Sequence, residues 1–531
     1  MSVDRQAPLP SPLTPFRYRM FAIVWVATVV SNIGGWMYSA AAAWLMTSLT
    51  KDAFIVSLVQ VANTLPMFLF ALGAGALSDI LDKRKLLIAG ESSIAVLSAI
   101  FAAMVWFHRV TPDSLLWFLF LISAASALVA PAWQAVVPSL VPREALPAAI
   151  SANSAGFNVS RAIGPALAGA IIGPFGIAVP FVINAVSNFG VIAALIGWRQ
   201  PTAPAVTLPS ERFSGALGTG FRYAMNNPDL RATFVRTVAF FLFAGAYWAL
   251  LPLVSRLRVG GGPEIYGLLL GAIGLGAVVG AFAMPSWKAK IGADRLVAIA
   301  SIGTALAIVV YGLAREPLLA LIASLIAGVS WIAGVATLNV SAQVALPDWV
   351  RGRGLAMYIT VMFGALAIGS ALWGQVADGL GLPFAHFIAA GGLLAGIPLT
   401  WRWKLQTGEK RDLTPSLQWP APVVSQPIEG HEGPVLVTVE YRLASDMNRA
   451  PFLSALNRLR RERLRDGAYA WGVFEDTGRP GRFLETFFVA SWTEHLRQHA
   501  RVTNADDALQ QDINKLLRGQ PLITHFLAPS E

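Results

Sequence analysis

Twelve apolar stretches dominate the chain, and each is long enough to cross the hydrocarbon of a membrane as a helix. The first six lie near residues 20–48, 54–79, 86–107, 113–137, 146–172 and 177–198. The other six lie near residues 232–256, 264–287, 295–314, 317–340, 354–378 and 382–403. About 20 apolar residues cross roughly 30 Å of hydrocarbon. Because lipid offers no hydrogen bonds to the backbone, these stretches predict a helical bundle.

The balance of residue types supports a bundle surrounded by lipid. Hydrophobic residues make up 55% of the 531 residues and charged residues only 13%, about half of the share usual in soluble domains. The net charge of +10 could indicate nucleic acid binding, but the cations fall mainly in short loops and one C-terminal helix. We therefore expect no nucleic acid partner. The absence of cysteine excludes a disulfide framework and a catalytic thiol.

A short motif occurs once in each set of six stretches. Segments 134–143 and 343–353 share Gln, Pro and Val at the same internal spacing. Each is followed by a Gly-x-Ala-Leu-x-Gly helix, at 164–169 and 369–374. The economical interpretation is an internally duplicated membrane protein, with two pseudo-symmetric six-helix halves and a substrate site between them.

Lysine and arginine indicate the orientation. The loops rich in cations hold Lys83–Lys85, Arg143, Arg199, Arg212, Arg222, Lys288, Lys290, Arg295, Arg351 and Arg353, whereas the alternate loops hold only Lys51, Arg109, Arg256, Arg258 and Arg315. The richer set belongs in the cytoplasm, together with both termini. The first stretch lacks a small-residue cleavage site, so we interpret it as a retained span of a multi-pass inner-membrane protein.

Five segments follow from these patterns. They are an N-terminal half at 1–198, a linker with a short interfacial helix at 199–231, a C-terminal half at 232–405, a flexible tether at 406–433 and a domain at 434–528. In the last segment, strands at 435–443, 468–476, 482–491 and 522–527 alternate with helices at 448–466 and 492–517. The order β-α-β-β-α-β predicts a soluble ferredoxin-like domain.

The loop between the second and third spans carries a specific motif, Gly75-Ala-Leu-Ser-Asp79 followed by a basic cluster around Arg84. It resembles the loop signature of the major facilitator superfamily in both pattern and position. An acid at a helix end can pair with a cation or with the positive end of a neighbouring helix. Gly75, Asp79 and Arg84 are therefore candidates for a gating latch, and a solvated turn is the alternative. The corresponding loop at 287–295 lacks the motif's core, which predicts an asymmetric latch.

The fifth span combines small residues with a buried cation. Gly156, Ser160 and Gly164 recur every four residues and form a small-residue stripe that lets another helix approach closely, and Pro165 is a further candidate for helix packing. Asn158 and Arg161 project from roughly the opposite side. An arginine inside a span costs about 2.5–3.5 kcal/mol, so it should face an aqueous cavity or a carboxylate.

Glu91 in the third span is the one comparably placed acid, and we expect Arg161 to adjust its proton affinity. The alternative is that Arg161 is a structural strut or extends to the membrane surface.

A longer pattern covers the fourth and fifth spans, Pro131…Pro138-x-x-Val-Pro-Arg143…Asn153…Asn158-x-x-Arg161-x-x-Gly-Pro165. It resembles the enterobactin-exporter-like, transmembrane secretion effector branch of that superfamily. The resemblance implies a transporter rather than an enzyme, working by alternating access and exporting small amphipathic molecules against protons. Glu91, Asp79 and Arg161 are then the candidates for proton coupling. The superfamily's arginine in the fourth span is missing, and an importer or a membrane-anchored enzyme are the rival interpretations.

Other polar and aromatic residues inside spans are candidates for the substrate cavity. The full set is Asn32, Trp36, Gln60, Asn63, Gln134, Asn158, Arg161, Asn184, Asn339 and Gln343. Each polar member taken singly is more typical of a hydrogen bond between helices. Together they predict a weakly polar lining that suits a bulky amphipathic molecule.

The C-terminal domain resembles antibiotic-biosynthesis monooxygenase-like domains in the segments 467–474, 483–487 and 491–499. That resemblance implies possible dimerisation, and we expect neither cofactor nor catalysis. His495 and His499 are spaced to share a metal, but without a third ligand we favour a solvated helix face and no metal site. The arginines between 458 and 465 predict a basic face that rests on lipid headgroups or is solvated.

Overall fold

We describe the chain from a computed structural model. The structure describes residues 13–198, 213–407, 432–445 and 448–528, together with residues 11, 412–414, 416, 428 and 430. Residues 199–212 of the predicted linker at 199–231 and most of the predicted tether lie outside these ranges. The tether residues that the structure describes include two, Thr414 and Ser416, that form backbone hydrogen bonds with the C-terminal domain. The backbone amides of Ser416 and Asn504 donate to the carbonyls of Val502 and Thr414, respectively, at 2.9 and 3.0 Å.

The first half contains six long helices. They are α1 (Arg19–Leu49), α2 (Ala53–Ile80), α3 (Lys83–Trp106), α4 (Pro112–Ser139), α5 (Leu146–Phe175) and α6 (Val179–Gly197). Side-chain caps fix several of their starts. Asp52 accepts a hydrogen bond from the amide of Ile55, and Asp82 accepts one from Lys85. These caps satisfy amides that the first helical turn leaves unbonded.

A short helix, α7 (Phe213–Asn226), precedes the second set of six. That set comprises α8 (Pro228–Leu253), α9 (Pro263–Ile291), α10 (Ala293–Leu313), α11 (Pro317–Val344), α12 (Asp348–Leu380) and α13 (Leu382–Thr400). A π-helical turn, Val254–Arg258, extends α8. Twelve helices in the described residues are long and apolar enough to cross a membrane, so the prediction of six plus six spans is confirmed.

Two compact units are distinguished within the described residues. One comprises Met1–Pro209, Phe234–Leu338 and Tyr358–Trp403, and the other comprises Ser210–Thr233, Asn339–Met357 and Lys404–Glu531. The first unit contains most of both six-helix halves. The second contains α7, the turn between α11 and α12, and the C-terminal domain.

In each half, an arginine links the start of the third span to the end of the sixth span. In the first half, Nε of Arg84 on α3 donates to the carbonyl of Leu195 on α6 at 2.9 Å. In the second half, Arg236 on α8 pairs with Asp294 on α10 at 3.1 Å and donates to the carbonyl of Trp403 at 3.1 Å. Arg236 is 3% exposed. It is therefore a buried strut between these elements.

The C-terminal domain is a four-stranded sheet with three helices. It consists of β1 (Val435–Arg442), α14 (Arg449–Arg465), β2 (Tyr469–Glu475), β3 (Arg482–Val489), α15 (Trp492–Arg501), α16 (Asn504–Asn514) and β4 (Leu522–Leu527). The strand order is β2-β3-β1-β4, and all neighbours are antiparallel. This is the ferredoxin-like arrangement that the sequence predicts. The predicted single helix at 492–517 is wrong, because Thr503 caps a new helix with Asp506.

Two of the predicted basic-face arginines point into the domain. Nε of Arg463 lies 3.4 Å from Glu485, and Arg465 bonds Asp466 and Asp506 at 2.8 Å each. Glu485 is fully buried and also accepts hydrogen bonds from Tyr441 at 2.7 Å and from the indole of Trp471 at 2.8 Å. The prediction of a uniform basic face is therefore wrong, because the arginines in the last turn of α14 form a buried ionic network.

The substitution Glu485→Leu should destabilise this domain by about 3–5 kcal/mol, because it leaves the guanidinium of Arg463 buried without its carboxylate. Amide hydrogen exchange in β1 and β3 of the full-length protein should accelerate by roughly a hundredfold or more. Asp512→Asn removes an exposed carboxylate on α16 and should leave exchange unchanged. Equal protection in Glu485→Leu and the natural protein would contradict the structural role of the network.

Candidate functional site

The two halves meet along a seam between α5 and α9. A Cβ added at Gly267 would lie 2.8 Å from the carbonyl oxygen of Pro165, and one at Gly274 would lie 2.5 Å from Cα of Ala162. Both distances are shorter than real Cβ contacts allow. The backbones therefore approach this closely only because glycine stands at these positions.

Other contacts close the same end of the bundle, where α1 ends and α9 begins. Trp44 of α1 stacks on Tyr266 of α9 with ring centroids 5.8 Å apart. Arg256, just after α8, donates to the hydroxyls of Thr47 and Ser48 at 2.8 and 2.7 Å. These contacts join the halves at the end opposite the start of α1.

Towards the end where α1 starts, the same two faces separate. Ala155 lies seven residues, or two turns, before Ala162 on α5, and Ala281 lies seven residues after Gly274 on α9. Both alanines are exposed. The seam is thus closed at one end and open at the other, as a cavity between two helical halves requires.

Arg161 lies where the closed part of the seam begins, next to Ala162. It is half-buried, and one terminal guanidinium nitrogen is shielded from solvent without a hydrogen-bond partner among the described residues. Its electrostatic neighbour across the seam is Tyr247 of α8, which is fully buried. A guanidinium with unused donors at the inner end of a cavity can bind an acceptor oxygen of a substrate.

The other ionisable candidates are placed apart from Arg161. Glu91 is 7% exposed, and one of its oxygens accepts a hydrogen bond from the indole of Trp133 at 2.8 Å. The structure does not bring Glu91 and Arg161 together within the described part of the chain. Gly75 lies on α2, the side chain of Asp79 lies outside the described residues, and Arg84 bonds within its own half.

The small-residue stripe of α5 faces α1. A Cβ at Gly156 would lie 2.6 Å from the side chain of Val29, and one at Gly164 would lie 2.6 Å from Cβ of Trp36. The hydroxyl of Ser160 donates to the carbonyl of Val29 at 3.1 Å. Pro165, which follows the stripe, is buried against α9. One side of α5 therefore packs against α1 within the first half, and the opposite side forms the seam with α9 of the second half.

The remaining cavity candidates divide into four groups by burial and position. Half-buried positions are taken by Asn32, Trp36, Gln60, Asn63 and Asn158, and Gln134 is exposed. Asn184 is instead buried inside the first half, where it donates to Ser98 at 2.9 Å. Asn339 and Gln343 belong to the second unit and bond to each other. Asn158 lies on the seam helix α5 itself, and Asn32 and Trp36 lie on α1, which packs against α5.

Sequence reasoning missed the second-half side of this site. Gly267, Gly271 and Gly274 stand at i, i+4 and i+7, which is one face of a helix, so a signal was present in α9. Tyr247 and Arg256 gave no such signal, because single aromatic and basic residues near a span end are common.

The C-terminal domain holds a second cluster of polar side chains. His495 is 2% exposed, so its assignment to a solvated helix face is wrong. Its ring lies 4.8 Å from that of His499 and 4.7 Å from that of His525 on β4, between ring centroids. Burial, and then the charges of His499 and His525, lower the pKa of His495 to about 3. Sequence reasoning missed His525 because it follows His499 by 26 residues.

Comparisons with known proteins agree with this architecture. The sequence model of the family described as "Transmembrane secretion effector" matches residues 10–531. The "Staphyloferrin A transporter" of Staphylococcus aureus is 26% identical, over 66% of this chain and 87% of its own. The "Multidrug efflux pump Tap" of Mycolicibacterium fortuitum is 26% identical, over 69% and 91%. The "Enterobactin exporter" of Citrobacter koseri is 25% identical, over 67% and 84%.

Solved structures resemble the chain in fold. A POT family transporter aligns with a TM-score of 0.60 at 12% identity, over 72% of this chain and 96% of that one. A bacterial homolog of the lysosomal transporter Spinster aligns with a TM-score of 0.53 at 13% identity, over 73% and 96%. Both alignments support the twelve-span transporter fold.

The closed end of the seam can be tested by cross-linking, since the natural chain contains no cysteine. A Cβ at Gly271 lies 3.2 Å from that of Ala166, near the range of about 3.5–4.5 Å in disulfides. The pair Ala166→Cys with Gly271→Cys should cross-link readily and stop transport until a reductant is added.

The matched control joins the same two helices at their open end, with Ala155→Cys and Ala281→Cys. This pair should cross-link more slowly, because both positions are exposed. Equal cross-linking at the two ends would contradict a seam closed at one end only.

Proposed function

Because the chain belongs to the transmembrane secretion effector family of the major facilitator superfamily, a family of transporters, we propose that it exports small amphipathic organic molecules by alternating access, driven by protons. The observation that supports this most is Arg161, a half-buried cation with an unbonded nitrogen at the inner end of the open seam. An importer of the same fold is the rival.

The substrate class is inferred from the relatives and the lining together. Relatives are named for staphyloferrin A, enterobactin and multidrug efflux. The proposed lining would offer amides at Asn32, Gln60 and Asn63 and an aromatic ring at Trp36, all half-buried, with Arg161 as its cation. Few donors beside much apolar surface favour a siderophore-like or drug-like molecule over a sugar.

The proposed direction is supported by relatives named as an efflux pump and an exporter, and it agrees with the proposed topology. With the cation-rich loops and both termini in the cytoplasm, the open end of the seam faces the cytoplasm. A cavity open to that side takes up cytoplasmic substrate, which is the loading step of an exporter.

Glu91 is the first candidate for carrying the proton. A carboxyl group buried in a span can bind a proton and so remove its charge from a medium where charge is costly. Each proton moving inward contributes about 2.3 kcal/mol per 100 mV of membrane potential and about 1.4 kcal/mol per pH unit. Asp79 remains the second candidate, and Gly75, Asp79 and Arg84 remain a proposed latch.

The C-terminal domain is proposed to be a non-catalytic, monooxygenase-like module that pairs with a second copy. The outer face of its sheet exposes Leu484, Leu522 and Phe526, at 39%, 63% and 52%. Apolar side chains grouped on one sheet face are typical of a surface covered by a partner.

Arg161→Ala should weaken the apparent affinity for exported compounds about 10- to 100-fold, since a hydrogen bond to a charged group is worth about 1.5–3 kcal/mol. Uptake into inverted membrane vesicles would be measured for compounds that the natural protein exports, chosen from siderophores, antibiotics and detergents. Arg109→Ala removes an arginine from an exposed loop and should behave like the natural protein. An unchanged affinity in Arg161→Ala at equal expression would refute its role.

Glu91→Gln should abolish transport driven by a pH gradient while leaving substrate exchange without a gradient. The amide oxygen can still accept the indole hydrogen bond of Trp133, so helix packing is kept and only proton binding is lost. Glu144→Gln alters an exposed acid and serves as the control. If Glu91→Gln and Asp79→Asn both retain pH-driven transport, the coupling assignment fails. Accumulation in right-side-out cells rather than in inverted vesicles would favour the importer.

A further inference from the structure

The three histidines of the C-terminal domain come from two separate elements. His495 and His499 lie one turn apart on α15, and His525 lies on β4, the edge strand that pairs with β1. One ring nitrogen from each of the three lies within 4.8 Å of the other two. The fold, rather than the sequence spacing, brings them together.

His495 stands in an unusual environment for a polar side chain. It is 2% exposed, and neither ring nitrogen makes a hydrogen bond of normal geometry among the described residues, although Gln498 lies beside the ring. A buried polar group without a partner costs about 1–3 kcal/mol. An apolar side chain would pack against Trp492 equally well. The two ring nitrogens without a hydrogen bond of normal geometry therefore need another explanation.

We propose that His495, His499 and His525 bind one divalent transition-metal ion of the zinc class, leaving a fourth position for water. Imidazole nitrogen suits zinc, copper, nickel and related ions, and three protein ligands with one open position is an established zinc arrangement. His499 and His525 are half-buried, which leaves a path for the ion from solvent.

The geometry requires a small adjustment. Nitrogens bound to one tetrahedral zinc ion at about 2.0–2.1 Å lie about 3.4 Å apart, so the three rings must close by roughly 1–1.5 Å relative to 4.8 Å. Side-chain rotation of the two half-buried histidines can supply this movement. The nearby positive charge of Arg463 is neutralised by Glu485, 3.4 Å away, so it opposes a cation only weakly.

The test uses the full-length protein in lipid nanodiscs, purified through a tag without histidine and stripped with a chelator. Titration with Zn²⁺ in a calorimeter should show one saturable site per chain, and Co²⁺ should give the visible absorption of a tetrahedral ion. His499→Gln and His525→Gln each remove one proposed ligand of the ion. Loss of an outer-shell partner already weakens metal binding roughly 10- to 100-fold, so each variant should weaken binding by at least that much. His108→Asn, in an exposed loop of the first half, should bind like the natural protein.

A second measurement does not depend on the variants. In the natural protein, Zn²⁺ should slow amide hydrogen exchange in α15 and β4, because the ion would link these two elements. The absence of saturable binding, or equal affinity in His525→Gln and His108→Asn, would overturn the proposal. None of these measurements involves transport, so the metal site and the exporter function can fail separately.

Discussion

The close approach of α5 and α9 is the contact on which the rest of the membrane unit depends. Gly267 and Gly274 place backbone against backbone, where any side chain would force the helices apart. In lipid, helices gain little from hydrophobic association, so packing at this distance is what holds two halves together. Because the contact is confined to one end, the other end is free to open.

The halves can act as units because each is braced internally. Arg84 bonds the carbonyl end of α6, and Arg236 joins α8 to Asp294 and to the residue after α13. Buried charges of this kind are costly to separate. Movement between the states of a transporter therefore meets least resistance at the seam, where contacts are small and largely uncharged. Arg161 lies at this boundary, next to Ala162.

The C-terminal domain differs from the helical bundle in that its interior contains many polar and charged side chains. Its interior contains a network of charges around Glu485 and a cluster of imidazoles around His495, both in a small sheet with three helices. The charges are matched by opposite charges and hydrogen bonds, as buried charges must be. The ring nitrogens of His495 have no hydrogen bond of normal geometry among the described residues, and this contrast is the reason to look for a ligand at the histidines rather than at the carboxylates.

The sequence by itself determined the architecture. Apolar length gave the twelve spans, the repeated Gln-Pro-Val motif gave the two halves, and the β-α-β-β-α-β order gave the ferredoxin-like sheet, because these features depend on local periodicity and chain order. Only the tertiary structure decided which residues meet. Asp294 with Arg236, Tyr247 beside Arg161, and His525 beside His495 are separated by 30 to 86 residues, and no local pattern encodes such pairs. It also turned Arg463 and His495 inward, since burial depends on what packs against a helix face, and that surface is formed by distant parts of the chain.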